Sequence, residues 1–301
     1  MGPFTFLGVP IDSVGRSGGT EHAPASFRAH SRRDDPWLAA DAGDLDVRIR
    51  GDVRDPSSGV IAIEDVLAMT RAVGDAVEAL RRDGRIPFVM GGCCSLVPGA
   101  LAGARRADPG VGLVYLDGHL DLYDGETSPT GEAADMPIAV VLGRGPSAWV
   151  DAAGSVADPD RVWLLGPRDL EEALRYGHPH PDDIAGLSYT DADAIRAAGA
   201  APVGRATSDA AGPSWVHLDV DVLDEAAFPA TDYLMPGGLQ LAELGDLLRP
   251  LLASSSLAGV SVGCYNPDKD PSRASGRALV EVFRAAIGDE GSRADGYPSG
   301  P

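Results

Sequence analysis

Cysteine is scarce in this chain, and the little there is cannot build a scaffold. Cys93, Cys94 and Cys264 are the only three in 301 residues. An odd number cannot all pair, and adjacent cysteines bridge only with strain, so the thiols read as reduced rather than as a disulfide framework. Basic residues are also few: 25 Lys and Arg stand against 45 Asp and Glu, for a formal net charge of -20. That balance argues against nucleic acid or an anionic membrane surface as a partner, and it tolerates a small cationic substrate. No apolar run approaches the ~18 residues of a membrane helix. The start, MGPFTFLGVPID, lacks the basic opening and long apolar stretch of a secretion signal. A soluble, cytoplasmic protein is expected. Internal repeats and interdomain linkers are missing too, so residues 1–287 read as a single domain. Residues 288–301, GDEGSRADGYPSGP, have the composition of a flexible tail.

What the chain does contain is alternation. Short apolar or β-branched runs (FTFLGV from Phe4, IPFVM from Ile86, VGLVYLD from Val111, RVWLLG from Arg161, SWVHLDVDV from Ser214, LAGVSVG from Leu257) are separated by helical patterns. The clearest of these starts at Ile63, carries apolar residues at three- and four-residue spacing, and stops at Gly84. Such alternation predicts an α/β fold, a three-layer, doubly wound and mostly parallel sheet, with ligands beyond the carboxyl ends of its strands.

Three polar motifs fall at those ends. GGCCSLVPG from Gly91 follows one strand; its glycines allow a tight turn that projects the next side chains into a site. After another strand, Asp117, His119 and Asp121 occupy alternate positions, and after a third so do Asp219 and Asp221. In extended backbone, alternate side chains face the same way, so each set is expected to converge. Either carboxylate set alone could be a helix cap or a solvated turn. Together they crowd four carboxylates onto one place, which calls for divalent cations.

The order of a glycine-glycine turn, Asp-x-His-x-Asp and Asp-x-Asp resembles the ureohydrolases, the family of arginase, agmatinase and formimidoylglutamase, over nearly the whole chain. DGHLD from Asp117 is similar to the family's Asp-Ala-His-x-Asp box with one small-residue change. HLDVDVLDEAAFPA from His217 is similar to its later box, with Glu225 where proline is usual. The glycine-rich opening from Gly8 to Arg28, LLGPRD from Leu164 and PGGL from Pro236 match further landmarks. The resemblance implies an arginase-like fold, a pair of manganese ions, and trimers or hexamers. It implies that Asp117 and Asp219 bridge the ions, that Asp121 completes one, and that His119 and Asp221 complete the other. The last ligand of the family is a histidine in Gly-Gly-Asp-His-Ser. Here that motif reads Gly91-Gly92-Cys93-Cys94-Ser95, which makes Cys94 the corresponding ligand, as in a branch of arginase-like enzymes that carry cysteine there. A thiolate is softer than imidazole and brings zinc or iron into competition with manganese. The alternative for Cys94 is a small buried hydrophobe.

Other departures bear on the substrate. Ala134 stands where arginase has a proton-shuttling histidine, Tyr123 where it has an asparagine that holds the substrate carboxylate, and Thr130 replaces a neighbouring serine. Cys264 stands where a glutamate pairs with the guanidinium, so arginine is not the expected substrate. Glu171 matches the reader of the substrate's α-amino group, and Asp121 and Glu132 are the candidates for orienting the nucleophile and carrying a proton. His178, His180 and His217 receive no role. The expected activity is hydrolysis of a C–N bond in a guanidine, amidine or linear amide. Two other readings stay open: a metal-binding protein without turnover, and a thiol enzyme in which Cys94 attacks directly with the help of a nearby histidine.

Overall fold

The computed structural model describes residues 4–13, 18–31, 35, 37–154 and 157–288. Val14 to Ser17 of the glycine-rich opening and the tail beyond Gly288 lie outside them. Eight strands form one sheet: β1 (Phe4–Val9), β2 (Leu38–Asp44), β3 (Ile86–Gly91), β4 (Gly112–Leu116), β5 (Val162–Leu165), β6 (Ser188–Thr190), β7 (Ser214–Asp219) and β8 (Leu257–Gly263). Their order is β2-β1-β3-β8-β7-β4-β5-β6, and every pairing is parallel. The six apolar runs of the sequence are all strands. Strands β2 and β6 escape the sequence pattern because they are the sheet's edges: LAADAGD and SYT are largely solvent-accessible and carry no apolar run.

The pleat sorts side chains between two cores. Leu113 and Tyr115 of β4 face one core, and Val114 and Leu116 face the other. The first core is closed by helices Ile63–Arg82 and Val97–Ala107. The helix from Ile63 buries Val66, Met69, Val73, Val77 and Leu80 and ends as expected, with Gly84 at a φ of 72°. The second core is closed by helices Ala23–His30, Leu241–Leu252 and Ala274–Ile287. Phe4, Phe6, Phe27, Trp37, Phe88 and Phe283 interlock there, each contributing about 1.5–3 kcal/mol by burial. Helix, sheet and helix make the three layers.

For the site, the middle of the sheet matters most. Strands β3, β8, β7 and β4 are consecutive neighbours, and the register sets Met90 beside Val262, Asp219 beside Gly263, and Leu116 beside Leu218. All four strands therefore end at nearly one level. The three motifs, with Cys264 directly after β8, leave the sheet side by side.

Candidate functional site

The turn after β3 needs both of its glycines. A Cβ on Gly92 would lie 1.5 Å from the Ile11 carbonyl oxygen, and one on Gly91 would lie 1.9 Å from Leu96 Cδ2. With those approaches permitted, a short 3₁₀ turn, Cys94–Leu96, starts at the sheet's end and leads into the next helix. The Cys264 amide donates to the Gly92 carbonyl at 2.5 Å. Cys94 Sγ and Cys264 Sγ stand 3.6 Å apart. The Cys93 sulfur accepts from the Ser13 amide at 3.3 Å and lies 3.5 Å from Thr20 Oγ1, while it also faces Cys264 and the cavity. It ties the N-terminal loop to the site.

The two aspartate motifs converge, but not through the pleat. Strand β4 ends at Leu116, so Asp117, His119 and Asp121 lie on the loop beyond it, and Asp121 is turned inward by a left-handed φ of 50°. Strand β7 ends at Asp219, which caps a 3₁₀ turn by accepting from the Asp221 amide at 2.8 Å. The extended-backbone expectation fails because the chain must leave the sheet before its side chains can reach the space above it. The capping alternative holds for one oxygen of Asp219, while the other lies 2.6 Å from Cys94 Sγ. Gly118 has its own reason: a Cβ there would meet the Asp221 carbonyl oxygen and Arg168 Nη1 at 2.8 Å. Arg168 donates to the carbonyls of Asp221 at 2.7 Å, Leu223 at 3.1 Å and Met235 at 3.2 Å, and so clamps the loop after β7.

These residues offer three overlapping sets of ligand atoms, each set within 4.8 Å: Asp117, His119 and Asp221; Cys94, Asp117 and Asp121; and Cys94, Asp219 and Cys264. His119 Nδ1 lies 3.1 Å from Asp221 and 3.5 Å from Asp117. Burial, with the charge of Asp221, pushes Asp117 up to about 7. Burial and neighbouring aspartates likewise raise Asp121 and Asp219 well above the carboxylate range. Asp221 is buried as well, but His119 and the Gly118 amide bring it below that range. Burial and the same aspartates push the Cys94 thiol up. Buried acids that resist ionisation beside one another, with imidazole and thiol among them, fit divalent cations, whose charge would remove the repulsion.

Above these residues opens a cavity of about 460 Å³, within the ~300–1,000 Å³ typical of small-molecule sites. Tyr123, Thr130 and Glu132 line it, as does Ala134. Glu132 is buried and accepts from the Tyr233 hydroxyl at 2.5 Å. Thr130 donates to Asp135 at 2.5 Å, and Tyr123 lies edge-on to His178, ring centroids 4.9 Å apart. Glu171 is exposed on its short helix and does not line the cavity; Asp169 and Glu172 do. His178 is a structural acceptor, taking the Leu122 amide at 3.0 Å and so fixing the loop between Asp121 and Tyr123.

Three contributors, Tyr115, Tyr233 and His217, received no role from motif reading, and a fourth, Cys264, was read only as a substrate-side position. Cys264 offers a ligand atom. Tyr115, buried on β4, donates to Asp121. Tyr233 lines the mouth edge-on to His119; an aromatic three residues before PGGL was the available signal. His217, at the centre of β7, places Nε2 3.2 Å from Cys94 Sγ and Nδ1 2.8 Å from Ser261 Oγ, which also accepts from Trp215 Nε1 at 2.8 Å. Its spacing two residues before Asp219 was the clue, because that puts it on the pleat face of Tyr115, with which it stacks at 4.9 Å.

Comparison with known proteins bears on the fold and the family. The arginase of Bacillus subtilis is 26% identical over 291 residues, which is 94% of this chain and 96% of that protein. A crystal structure of arginase from Bacillus subtilis, 25% identical, superposes with a TM-score of 0.84 over 96% of this chain and 99% of that one. The formimidoylglutamase of the same organism shares the fold at a TM-score of 0.70 and 19% identity, over 95% of this chain and 86% of its own. The model of the Arginase family matches residues 3–288; with that span, the chain belongs to the arginase family of metal-dependent hydrolases.

Proposed function

We propose that the protein is a binuclear metal-dependent hydrolase that cleaves a C–N bond in a small cationic guanidine, amidine or linear amide, and that it discriminates against arginine. The observation that carries this reading is the convergence of Cys94, Asp117, His119, Asp121, Asp219 and Asp221 on the floor of one acid-lined cavity. Divalent ions bound there would lower the pKa of a water and neutralise charge developing at the attacked carbon. Manganese suits the oxygen-and-imidazole set, whereas Cys94 brings zinc or iron into competition. Asp121, held by Tyr115, would accept a hydrogen bond from the attacking water and orient it. Glu132, held by Tyr233, is the group placed to carry a proton to the departing amine, since Ala134 has none to give.

Substrate preference follows from the lining. Glu132, Asp135, Asp169, Glu172 and Asp232 surround the cavity, and no Lys or Arg is among its described lining residues. A cation is attracted and a carboxylate is not. The relatives named arginase favour arginine itself. Against this stand Tyr123 in place of a carboxylate-holding asparagine, and Cys264 in place of the guanidinium's glutamate. Glu172 rather than Glu171 is the side chain placed to read a distal amino group. The three free thiols suit a reducing, cytoplasmic setting.

A thiol-nucleophile reading gains support from His217 beside Cys94. Yet burial drives His217 down to about 3 and the Cys94 thiol up, so the pair is neutral rather than an imidazolium and a thiolate. The test is metal analysis with turnover on a panel of guanidines and amidines. Activity that chelation abolishes and manganese or zinc restores is expected, with kcat/KM for arginine at least about 100-fold below that for the best cation lacking a carboxylate, a difference of ~2.7 kcal/mol. Activity that survives chelation sinks the metal reading; arginine as the best substrate sinks the discrimination.

A further inference from the structure

We propose that Cys264 is a metal ligand, so that one of the two positions is a dithiolate–carboxylate site of Cys94, Cys264 and Asp219 that selects a thiophilic ion, zinc or iron(II), over manganese. This rests on the metallohydrolase reading and adds a ligand and a metal preference to it. Neither the Asp-x-Asp motifs nor the cysteine pair at residues 93 and 94 points to this residue.

The geometry is specific. Two thiolates at about 2.3 Å from one tetrahedral ion stand about 3.8 Å from each other. Cys94 Sγ and Cys264 Sγ are 3.6 Å apart, and both are free. A disulfide needs about 2.05 Å, so the two sulfurs are unbonded thiols in contact, at a spacing that one shared ion would also give; Cys264 touches Cys93 as well. Asp219 supplies an oxygen to the same set, all three ligand atoms lying within 4.8 Å.

The backbone points the same way. Cys264 sits at a left-handed φ of 63°, which costs a side-chain-bearing residue free energy and persists only where surroundings impose it. Here the hydrogen bond that the Cys264 N–H donates to the Gly92 carbonyl holds it, locking the residue after β8 onto the turn that carries Cys94. Asp121 is the other candidate ligand at positive φ. On this side of the centre the donors are sulfur and carboxylate, and on the other they are imidazole and carboxylate. Softness therefore divides the two positions.

The test uses the full chain, stripped and reloaded with one equivalent of zinc, with X-ray absorption at the zinc edge to count sulfur neighbours near 2.3 Å. Two sulfurs are expected in the wild type, one in Cys264→Ser and in Cys264→Ala, one in Cys94→Ser, and two in Cys93→Ser. Competition between zinc and manganese should shift toward manganese by about tenfold or more in Cys264→Ser. A single sulfur in the wild type, lost only with Cys94, overturns the ligand assignment and leaves the metallohydrolase reading standing. No bound metal in any form overturns both.

Discussion

The centre has two unlike halves. Toward β4 and the loop after β7, His119, Asp117 and Asp221 form an oxygen-and-imidazole set; toward β3 and β8, Cys94, Cys264 and Asp219 form a sulfur-rich one. The first half is built by two loops that Arg168 and His178 hold from behind. The second is built at the strand ends themselves, where Gly91 and Gly92 let Cys94 approach and the Gly92 carbonyl fixes Cys264. The difference teaches that the two positions can change independently: a sulfur exchanged for an imidazole on one side leaves the other side's ligands and supports untouched.

Asp117 is the residue that breaks the comparison, because it alone of the carboxylates belongs to ligand sets on both sides. Asp117→Ala should give the largest effect, loss of both ions and of all hydrolysis. Asp219→Ala should follow, emptying the sulfur-rich position first, since Asp219 belongs to the set of Cys94 and Cys264 alone. Metal counted per chain in each purified variant checks this, and full occupancy in Asp117→Ala would remove the two-ion assignment.

Cys94 sharpens the comparison. Cys94→Ala should weaken one ion by about 100-fold, ~2.7 kcal/mol, and leave the other held by His119, Asp117 and Asp221. Cys94→His should keep both ions while erasing the sulfur preference. Titration with zinc and with manganese resolves the two affinities. Equal weakening of both ions would mean that the halves are not separable.

How much of this was legible beforehand depended on what kind of feature carried the information. Strands buried on both faces announce themselves as apolar runs, so six strands and the positions of Asp117, His119, Asp121, Asp219 and Asp221 could be read directly. Edge strands β2 and β6 bury too little to leave such a mark. Cys264 was legible as a substrate-side position but not as a ligand, and His217 only as a residue. Their proximity to Cys94 comes from strand order, β3-β8-β7, which no local pattern encodes. Glu171 and Glu172 are both exposed on their short helix, and of the two it is Glu172 that lines the cavity.

Arg168 tests whether the oxygen-rich half depends on its loop. The guanidinium serves carbonyls of Asp221, Val222, Leu223, Met235 and Pro236. Arg168→Ala leaves partly buried acceptors unserved and should cost about 2–3 kcal/mol in denaturant unfolding. It should loosen the ion held by Asp221 more than the one held by sulfur. Equal loosening would assign Arg168 to global stability alone.

The last expected effect, absent at neutral pH and developing only on acidification, is a pH dependence of the same half. Burial lowers His178 to about 4 from its ordinary 6.5, with its Nδ1 contact to the Pro179 carbonyl opposing only in part. Because the folded value is the lower one, the unfolded chain binds the extra proton between about pH 6.5 and 4. Stability is therefore complete above pH 6.5 and declines as pH falls through that window, by at most about 3.4 kcal/mol at 1.36 kcal/mol per unit. Protonation also removes the acceptor of the Leu122 amide, 3.0 Å away, and frees the loop that positions Asp121. Neighbouring carboxylates titrate in the same range, so the informative quantity is the difference between wild type and His178→Gln, whose amide oxygen can still accept from Leu122 but does not titrate. Measured on metal-free protein by thermal unfolding, the wild type should lose stability relative to the variant as pH drops from 6.5 to 4. Two parallel curves would mean that His178 does not set the acid limit, and that the loop before Tyr123 is held by its other contacts.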